Sequence, residues 1–174
     1  MKKLLLVLLI SFLLMSCAPQ EDINITERFH PVASTDTLEL GTQWIDTGAT
    51  MTVDGITIIG EVITNNINTT ELGLYKVTYE VDYKGITYET ERYVIIVDQT
   101  PPDVYLNPGI DTITRYANWV DESIVAIDNS GDTVTVTVEG TVNTSFTGTY
   151  EIIYTATDSS GNSKTISRFV HVVD

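Results

Sequence analysis

Residues 148–162 read Gly148-Thr149-Tyr150-Glu151-Ile152-Ile153-Tyr154-Thr155-Ala156-Thr157-Asp158-Ser159-Ser160-Gly161-Asn162. Apolar side chains at Tyr150, Ile152, Tyr154 and Ala156 fall at every second position, the period of a strand with one face on a core. Asp158 to Asn162 is a cluster of turn formers, so the strand is expected to fold back on the next one as an antiparallel hairpin. Upstream, Thr133-Val134-Thr135-Val136-Thr137-Val138 alternates in the same way and predicts a strand with one buried face. Helical periodicity is absent beyond the first sixteen residues.

The same pattern occurs earlier. Tyr75-Lys76-Val77-Thr78-Tyr79-Glu80-Val81 alternates and runs into Asp82-Tyr83-Lys84-Gly85. At an offset of 75 residues Asp36, Thr37, Trp44, Asp46, Asn68, Thr69, Gly73, Tyr75 and Tyr79 meet Asp111, Thr112, Trp119, Asp121, Asn143, Thr144, Gly148, Tyr150 and Tyr154. One extra residue in the second copy moves the offset to 76, and Gly85, Arg92, Val94, Val97 and Asp98 then meet Gly161, Arg168, Val170, Val173 and Asp174. The copies therefore end at Asp98 and Asp174. Between them, Gln99-Thr100-Pro101-Pro102 carries two fixed φ angles and lacks two N–H donors, which predicts a short, stiff joint.

Short strands and Gly/Asn/Asp turns in units of this size predict two tandem β-sandwiches, an all-β fold. Tyr75 and Tyr150, each two residues after a Gly, stand where a tyrosine corner of immunoglobulin-like sandwiches bonds its hydroxyl to the preceding turn. Val77 and Ile152 stand where an antibody domain has its second Cys, so apolar packing alone is expected to hold each core. In so small a core, burial of Tyr79 and Tyr154 matters.

Trp44-Ile45-Asp46-Thr47-Gly48-Ala49, Asp54-Gly55, the run Gly73 to Tyr79, Asn143-Thr144 and the stretch from Gly148 to Asn162 together resemble the bacterial surface Ig-like domain, of the pesticidal-crystal-protein type and close to the hyalin repeat. The resemblance covers nearly all of the chain after its N-terminal segment. It implies a sandwich of about seven strands used as a spacer or binding module, with no catalytic residues to carry over. The first copy departs from the pattern with Asp82-Tyr83-Lys84-Gly85-Ile86 at its last hairpin, and the second with Glu122-Ser123 in place of a Pro-Gly-like pair.

The 174 residues hold 24 acidic and 9 basic side chains, a formal net charge of -15. That balance excludes a nucleic-acid partner, which needs a basic face. The single Cys excludes a disulfide framework and a Cys-rich zinc site. Lys2 and Lys3 precede an apolar run from Leu4 to Met15, a charged start and hydrophobic middle that read as a secretory signal too short to span a bilayer. Leu14-Met15-Ser16-Cys17 resembles the bacterial lipobox. The resemblance implies cleavage between Ser16 and Cys17, a diacylglyceryl thioether on Cys17 and acylation of its new amino group. Such an anchor holds a protein to its membrane on the outer, extracytoplasmic side. Loss of residues 1–16 removes Lys2 and Lys3, leaving 7 basic against 24 acidic side chains, a charge of -17. The resulting division is a signal peptide at 1–16, lipidated Cys and flexible tether at 17–29, a first domain at 30–98, a joint at 99–102 and a second domain at 103–174.

Candidate sites are few. His30 lies near the tether, and His171 alternates away from Val170 and Val172; neither has a nucleophile signature beside it, so no catalytic residue is assigned. Asp128-Asn129-Ser130-Gly131-Asp132 offers oxygen donors at loop spacing, and Asp98, Asp103 and Asp158 flank the domain ends, so Asp128, Asn129, Asp132 and Asp158 are candidate calcium ligands; a tight turn requires the same residue types. Trp44 and Trp119 could stack on sugar rings, but their equivalence in both copies favours capping of each core. The expected function is a non-enzymatic surface lipoprotein for adhesion, ligand binding or spacing, with an unidentified protein or glycan ligand. The alternative is an accessory subunit of a surface glycan-processing or transport assembly that docks through a strand edge.

Overall fold

A computed structural model describes residues 29–174. The expected signal peptide, cleavage point at Ser16 and Cys17, lipid attachment at Cys17 and tether up to residue 28 lie outside the described residues. Over the described residues the chain is all-β, with thirteen strands and no helix. The first seven are β1 (Phe29–Pro31), β2 (Thr35–Glu39), β3 (Ala49–Val53), β4 (Ile56–Ile59), β5 (Glu61–Asn65), β6 (Gly73–Tyr83) and β7 (Ile86–Val97). They form one sheet of order β1-β3-β4 and a second of order β2-β7-β6-β5. The remaining six are β8 (Asp103–Leu106), β9 (Thr112–Thr114), β10 (Ile124–Ile127), β11 (Thr135–Glu139), β12 (Gly148–Thr157) and β13 (Ser163–Val173). Their sheets have orders β10-β8 and β11-β12-β13-β9.

The strands follow the repeat. In each copy the long hairpin, β6–β7 or β12–β13, is antiparallel, with Tyr75 opposite Val94 and Tyr150 opposite Val170. A short early strand joins it in parallel, β2 beside the end of β7 and β9 beside the end of β13. The copies differ at β4. In the first, Asp54 and Gly55 both take positive φ, 51° and 78°, the two-residue turn that reverses β3 into β4. In the second, the corresponding residues are Asn129 and Ser130 in a wider loop, and no counterpart of β4 pairs there. Lys84 and Gly85 close the β6–β7 hairpin with φ of 51° and 78°. The second copy spends its extra residue on a longer turn, in which the Asp158 amide donates to the Asn162 carbonyl at 3.0 Å.

The first core packs Phe29, Ala49, Met51 and Val53 from one sheet against Val77, Tyr79 and Val81 from the other, with Trp44 at its margin. Phe29 corrects the expected tether: it begins β1, faces Met51 across the ladder and is buried. Its ring fits because Gly60 has no side chain; a Cβ there would lie 2.9 Å from Phe29 Cζ. The second core is built on Ile113, Val170 and Val172, with Trp119 and Tyr150 packed against it. On the neighbouring strand Ile152, Tyr154 and Ala156 are buried in alternation. The expectation for Thr133–Val138 is corrected: β11 alternates in sequence, yet Val136 and Val138 remain 37% and 50% exposed. β11 is an edge strand, hydrogen-bonded only to β12.

Candidate functional site

Two features bring charged side chains together. The first is a buried polar network within each copy. Arg92, on β7, has a side chain only 3% exposed. Its Nη2 donates to Asp36 Oδ2 at 2.6 Å, and its Nη1 donates to Thr47 Oγ1 at 2.6 Å and Asp46 Oδ1 at 3.4 Å. Trp44 Nε1 donates to the same Asp36 oxygen at 2.7 Å, and the Tyr79 hydroxyl donates to Asp46 Oδ1 at 2.6 Å. The guanidinium also lies over the Trp44 ring, 5.3 Å from its centroid. In the second copy Arg168 donates to Asp111 Oδ1 at 2.7 Å and to the Asn107 carbonyl, while Tyr154 donates to Asp121. Trp119 Nε1 turns instead to the Ile110 carbonyl at 3.1 Å.

The repeated residues Asp36, Trp44, Asp46, Tyr79 and Arg92 thus tie the loop between β2 and β3 to the sheet of β2, β7 and β6, and their counterparts in the second copy hold the corresponding positions. Each core therefore rests on polar anchors as well as on apolar packing, contrary to the sequence-based expectation. Trp44 and Trp119 have structural partners, and the Arg92 cation occupies one face of Trp44, where a sugar ring would stack. Tyr75 and Tyr150 form the expected corners, donating to the carbonyls of Glu71 and Phe146 at 3.0 Å each. The loop of Glu122-Ser123 keeps the geometry of its counterpart: Gly48 and Ser123 both take positive φ, 74° and 59°, and donate their amides to Asp46 and Asp121 at 2.8 Å.

The network perturbs its phenols. Burial, and then the hydrogen bond to Asp46, push Tyr79 up to about 12; burial and Asp121 do the same to Tyr154. A raised folded value means that the neutral phenol stabilises the fold. That contribution is complete below the ordinary tyrosine value of about 10 and is lost as pH rises toward 12. In an absorbance titration of the nine tyrosines, Tyr79 and Tyr154 are expected to ionise together with alkaline unfolding between about pH 10 and 12. In Tyr79→Phe one of the two buried late phenols disappears from the titration.

The second feature lies where the copies meet. Asp98, Asp128 and Asp158 present one carboxylate oxygen each, all within 4.8 Å of one another. Asp98 follows β7 in the first copy, Asp128 follows β10 and Asp158 follows β12. One oxygen of Asp98 accepts the Thr100 amide at 3.1 Å, and one of Asp128 accepts the Ser130 amide and hydroxyl at 2.8 and 2.6 Å. Asp158 takes the Asn162 amide and side chain at 2.8 and 2.9 Å, and Asn162 also donates to the Asp98 carbonyl at 3.1 Å. The joint is pinned to the first copy by Glu39, which accepts the Gln99 amide at 2.9 Å and the Thr100 hydroxyl at 2.7 Å.

Of the predicted oxygen donors, Asp128 and Asp158 come together, joined by Asp98. Asp132 is drawn off to the Ser159 hydroxyl at 2.7 Å, Asn129 is exposed beside Glu39, and Asp103 pairs with Lys164 at 3.0 Å. His171 lies exposed on β13, as its alternation predicts, and His30, expected near the tether, lies exposed on β1.

A family model described as "Bacterial surface protein, Ig-like domain" matches the chain at residues 33–96 and 111–172. No curated protein matches it. Similar solved structures include a lipoprotein from Bacteroides thetaiotaomicron, at 14% identity over 79% of this chain and 96% of that one, TM-score 0.35. Human protocadherin-24 EC1-2 is similar at 14% identity over 84% and 98% of the two chains, TM-score 0.40. An endo-fucoidan hydrolase of glycoside hydrolase family 107 is similar at 13% identity over 89% and 30%, TM-score 0.26. The two family matches cover most of the chain and fall on the two repeats, each with its own sheets and buried network: the chain belongs to the bacterial surface Ig-like domain family, of which it carries two tandem copies.

Proposed function

We propose that the chain is an extracytoplasmic lipoprotein, acylated at Cys17, whose two Ig-like domains act as a non-enzymatic module for adhesion, ligand binding or spacing. The tandem family match carries this reading: the repeated polar side chains have structural partners and support the sandwich. The signal-like start and the only Cys of the chain, placed within Leu14-Met15-Ser16-Cys17, support the anchor. The finer kinship, to the pesticidal-crystal and hyalin-repeat types, rests on the motifs around Trp44, Tyr79 and Asp158. Two or three acyl chains, at about 0.8 kcal/mol per buried methylene, hold the protein irreversibly on the timescale of the cell. At a charge of -17 the chain from Cys17 onward is repelled by anionic headgroups.

Mass spectrometry of the membrane-extracted protein is expected to find Cys17 as the acylated N-terminal residue, and Cys17→Ser to lose the acyl mass and leave the membrane fraction. A bare thiol on a membrane-bound chain removes the anchor from the reading. The accessory-subunit reading draws support from apolar side chains on exposed edges: Ile56 and Ile59 on β4 and Val62 and Ile63 on β5. Recovery of one envelope protein on the immobilised chain, abolished by Ile59→Lys, favours that role over an external ligand.

A further inference from the structure

We infer that Asp98, Asp128 and Asp158 form a calcium-binding site at the joint between the two Ig-like domains. The inference is independent of lipid attachment and of what the domains adhere to. Asp98 and Asp128 are each 7% exposed, and Asp98 Oδ2 and Asp128 Oδ1 are buried with no hydrogen-bond partner. Buried carboxylate oxygens without a donor are costly and demand a partner. The donors already present do not supply it, because they sit on the opposite oxygens: Thr100 on Asp98 Oδ1, and Ser130 on Asp128 Oδ2. They leave one buried oxygen free on each of two carboxylates that, with Asp158, place an oxygen within 4.8 Å of one another. Asp158, also 7% exposed, brings a third carboxylate, held in place by the Asn162 amide and side chain.

Charge points the same way. Among the described residues, none of the three carboxylates has a Lys, Arg or His within ion-pair distance. Glu39 adds a further acid beside Asp98. Three carboxylate oxygens within 4.8 Å repel one another unless a cation lies between them. An all-oxygen donor set, with neither His nor Cys, selects a hard cation over zinc or copper. Calcium accepts irregular geometry, with oxygens at about 2.3–2.6 Å and water completing the shell, whereas magnesium demands a near-ideal octahedron and gives up its waters reluctantly. Because Asp98 closes the first copy and the other two ligands belong to the second, the ion would crosslink the copies beside the Pro101-Pro102 joint.

The test is calcium titration of the full chain in detergent after chelator treatment, by calorimetry and by melting. The expected result is one saturable site per chain, with a dissociation constant on the order of 10⁻⁴ to 10⁻³ M. At 10 mM Ca²⁺ the melting temperature should rise by about 5 °C over a sodium chloride control of equal ionic strength. Asp98→Asn and Asp128→Asn are each expected to weaken binding at least about tenfold, with loss of the melting shift, while Asp132→Asn leaves both unchanged. The Asn variants keep an oxygen for the Thr100 and Ser130 amides, so they should melt in chelator no lower than the parent chain. Asp158→Asn gives a third variant if either fails to fold. No saturable binding up to 10 mM, or equal binding in folded Asp98→Asn and Asp128→Asn, overturns the site; the latter result assigns the binding to the acidic surface at large.

Discussion

Tyr79→Ala is expected to remove about 3–5 kcal/mol from the stability of the first domain, the range for deleting a fully buried aromatic ring. The ring is 0% exposed and stands between Met51 and Val53 on one sheet and Val77 and Val81 on the other. Its loss leaves a cavity that two hydrogen-bonded sheets cannot collapse to fill, and it strips Asp46 of a donor at 2.6 Å. A domain this small holds only a few kcal/mol of net stability, so the variant should be largely unfolded at 37 °C. Urea denaturation followed by Trp44 and Trp119 fluorescence checks this: the first domain's transition moves to low urea while the second stays in place. Tyr79→Phe keeps the ring and separates the two contributions, at about 1–2 kcal/mol for the lost hydrogen bond. A Tyr79→Ala chain melting within 1 kcal/mol of the parent would sink the account of the core.

The second large effect is expected at Asp36. Removing one partner of a buried ion pair costs about 3–5 kcal/mol, because the other charge is left without compensation. Asp36→Ala leaves the Arg92 guanidinium with Asp46 at 3.4 Å as its remaining carboxylate, and it takes the acceptor from Trp44 Nε1 as well. Asp36→Leu combined with Arg92→Met, which replaces the pair by apolar groups, should recover much of the loss, and a double-mutant cycle in urea measures the coupling. The matching change in the second domain, Asp111→Ala, should cost less. Asp111 is 45% exposed, Arg168 keeps the Asn107 carbonyl, and Trp119 does not depend on the carboxylate. Acid should act in the same direction. Burial would raise the Asp36 carboxyl, but hydrogen bonds from Trp44 and Arg92 and the Arg92 charge outweigh it and hold the group below its ordinary value. That stabilisation is therefore present above the ordinary aspartate value of about 3.9 and is lost as pH falls through the lowered one.

The strands and the repeat were legible in the sequence because period-two alternation and turn residues are local signals. Tyr75 and Tyr150 were placed correctly for the same reason, since each bonds a carbonyl only four residues back. The buried arginines were visible as repeated positions, but their role was not. Arg92 reaches Asp46 and Asp36 across 46 and 56 residues of chain, and nothing in the spacing announces those pairings. The equivalence of an Asp, a Trp, a second Asp, a Tyr and an Arg in both copies was the available signal: five polar or amphipathic residues kept together in a module that buries its core suggest one network. Phe29 read as tether because its neighbours in sequence are polar; its place is set by Gly60, far along the chain. Asp128 and Asp158 were found as loop oxygens, whereas Asp132, in the same loop, was not separable from them until Ser159 was seen to claim it.

The parallel ladders described above have a mechanical meaning should the chain be held at one end, as the proposed acylation of Cys17 would hold it. Thr35–Glu39 run alongside Tyr93–Val97, and Thr112–Thr114 alongside His171–Val173, so in each domain an early strand and the last one point the same way. The amide of Leu40 bonded to Val97 and that of Arg115 bonded to Val173 extend the two ladders by a rung. Tension entering before the early strand and leaving after the last pulls them in opposite directions along their length. All the rungs then bear load at once, in shear, and must break together. An antiparallel hairpin pulled at its open end yields one rung at a time. Two such clasps in series would let the chain bear tension along its length before either domain gives way.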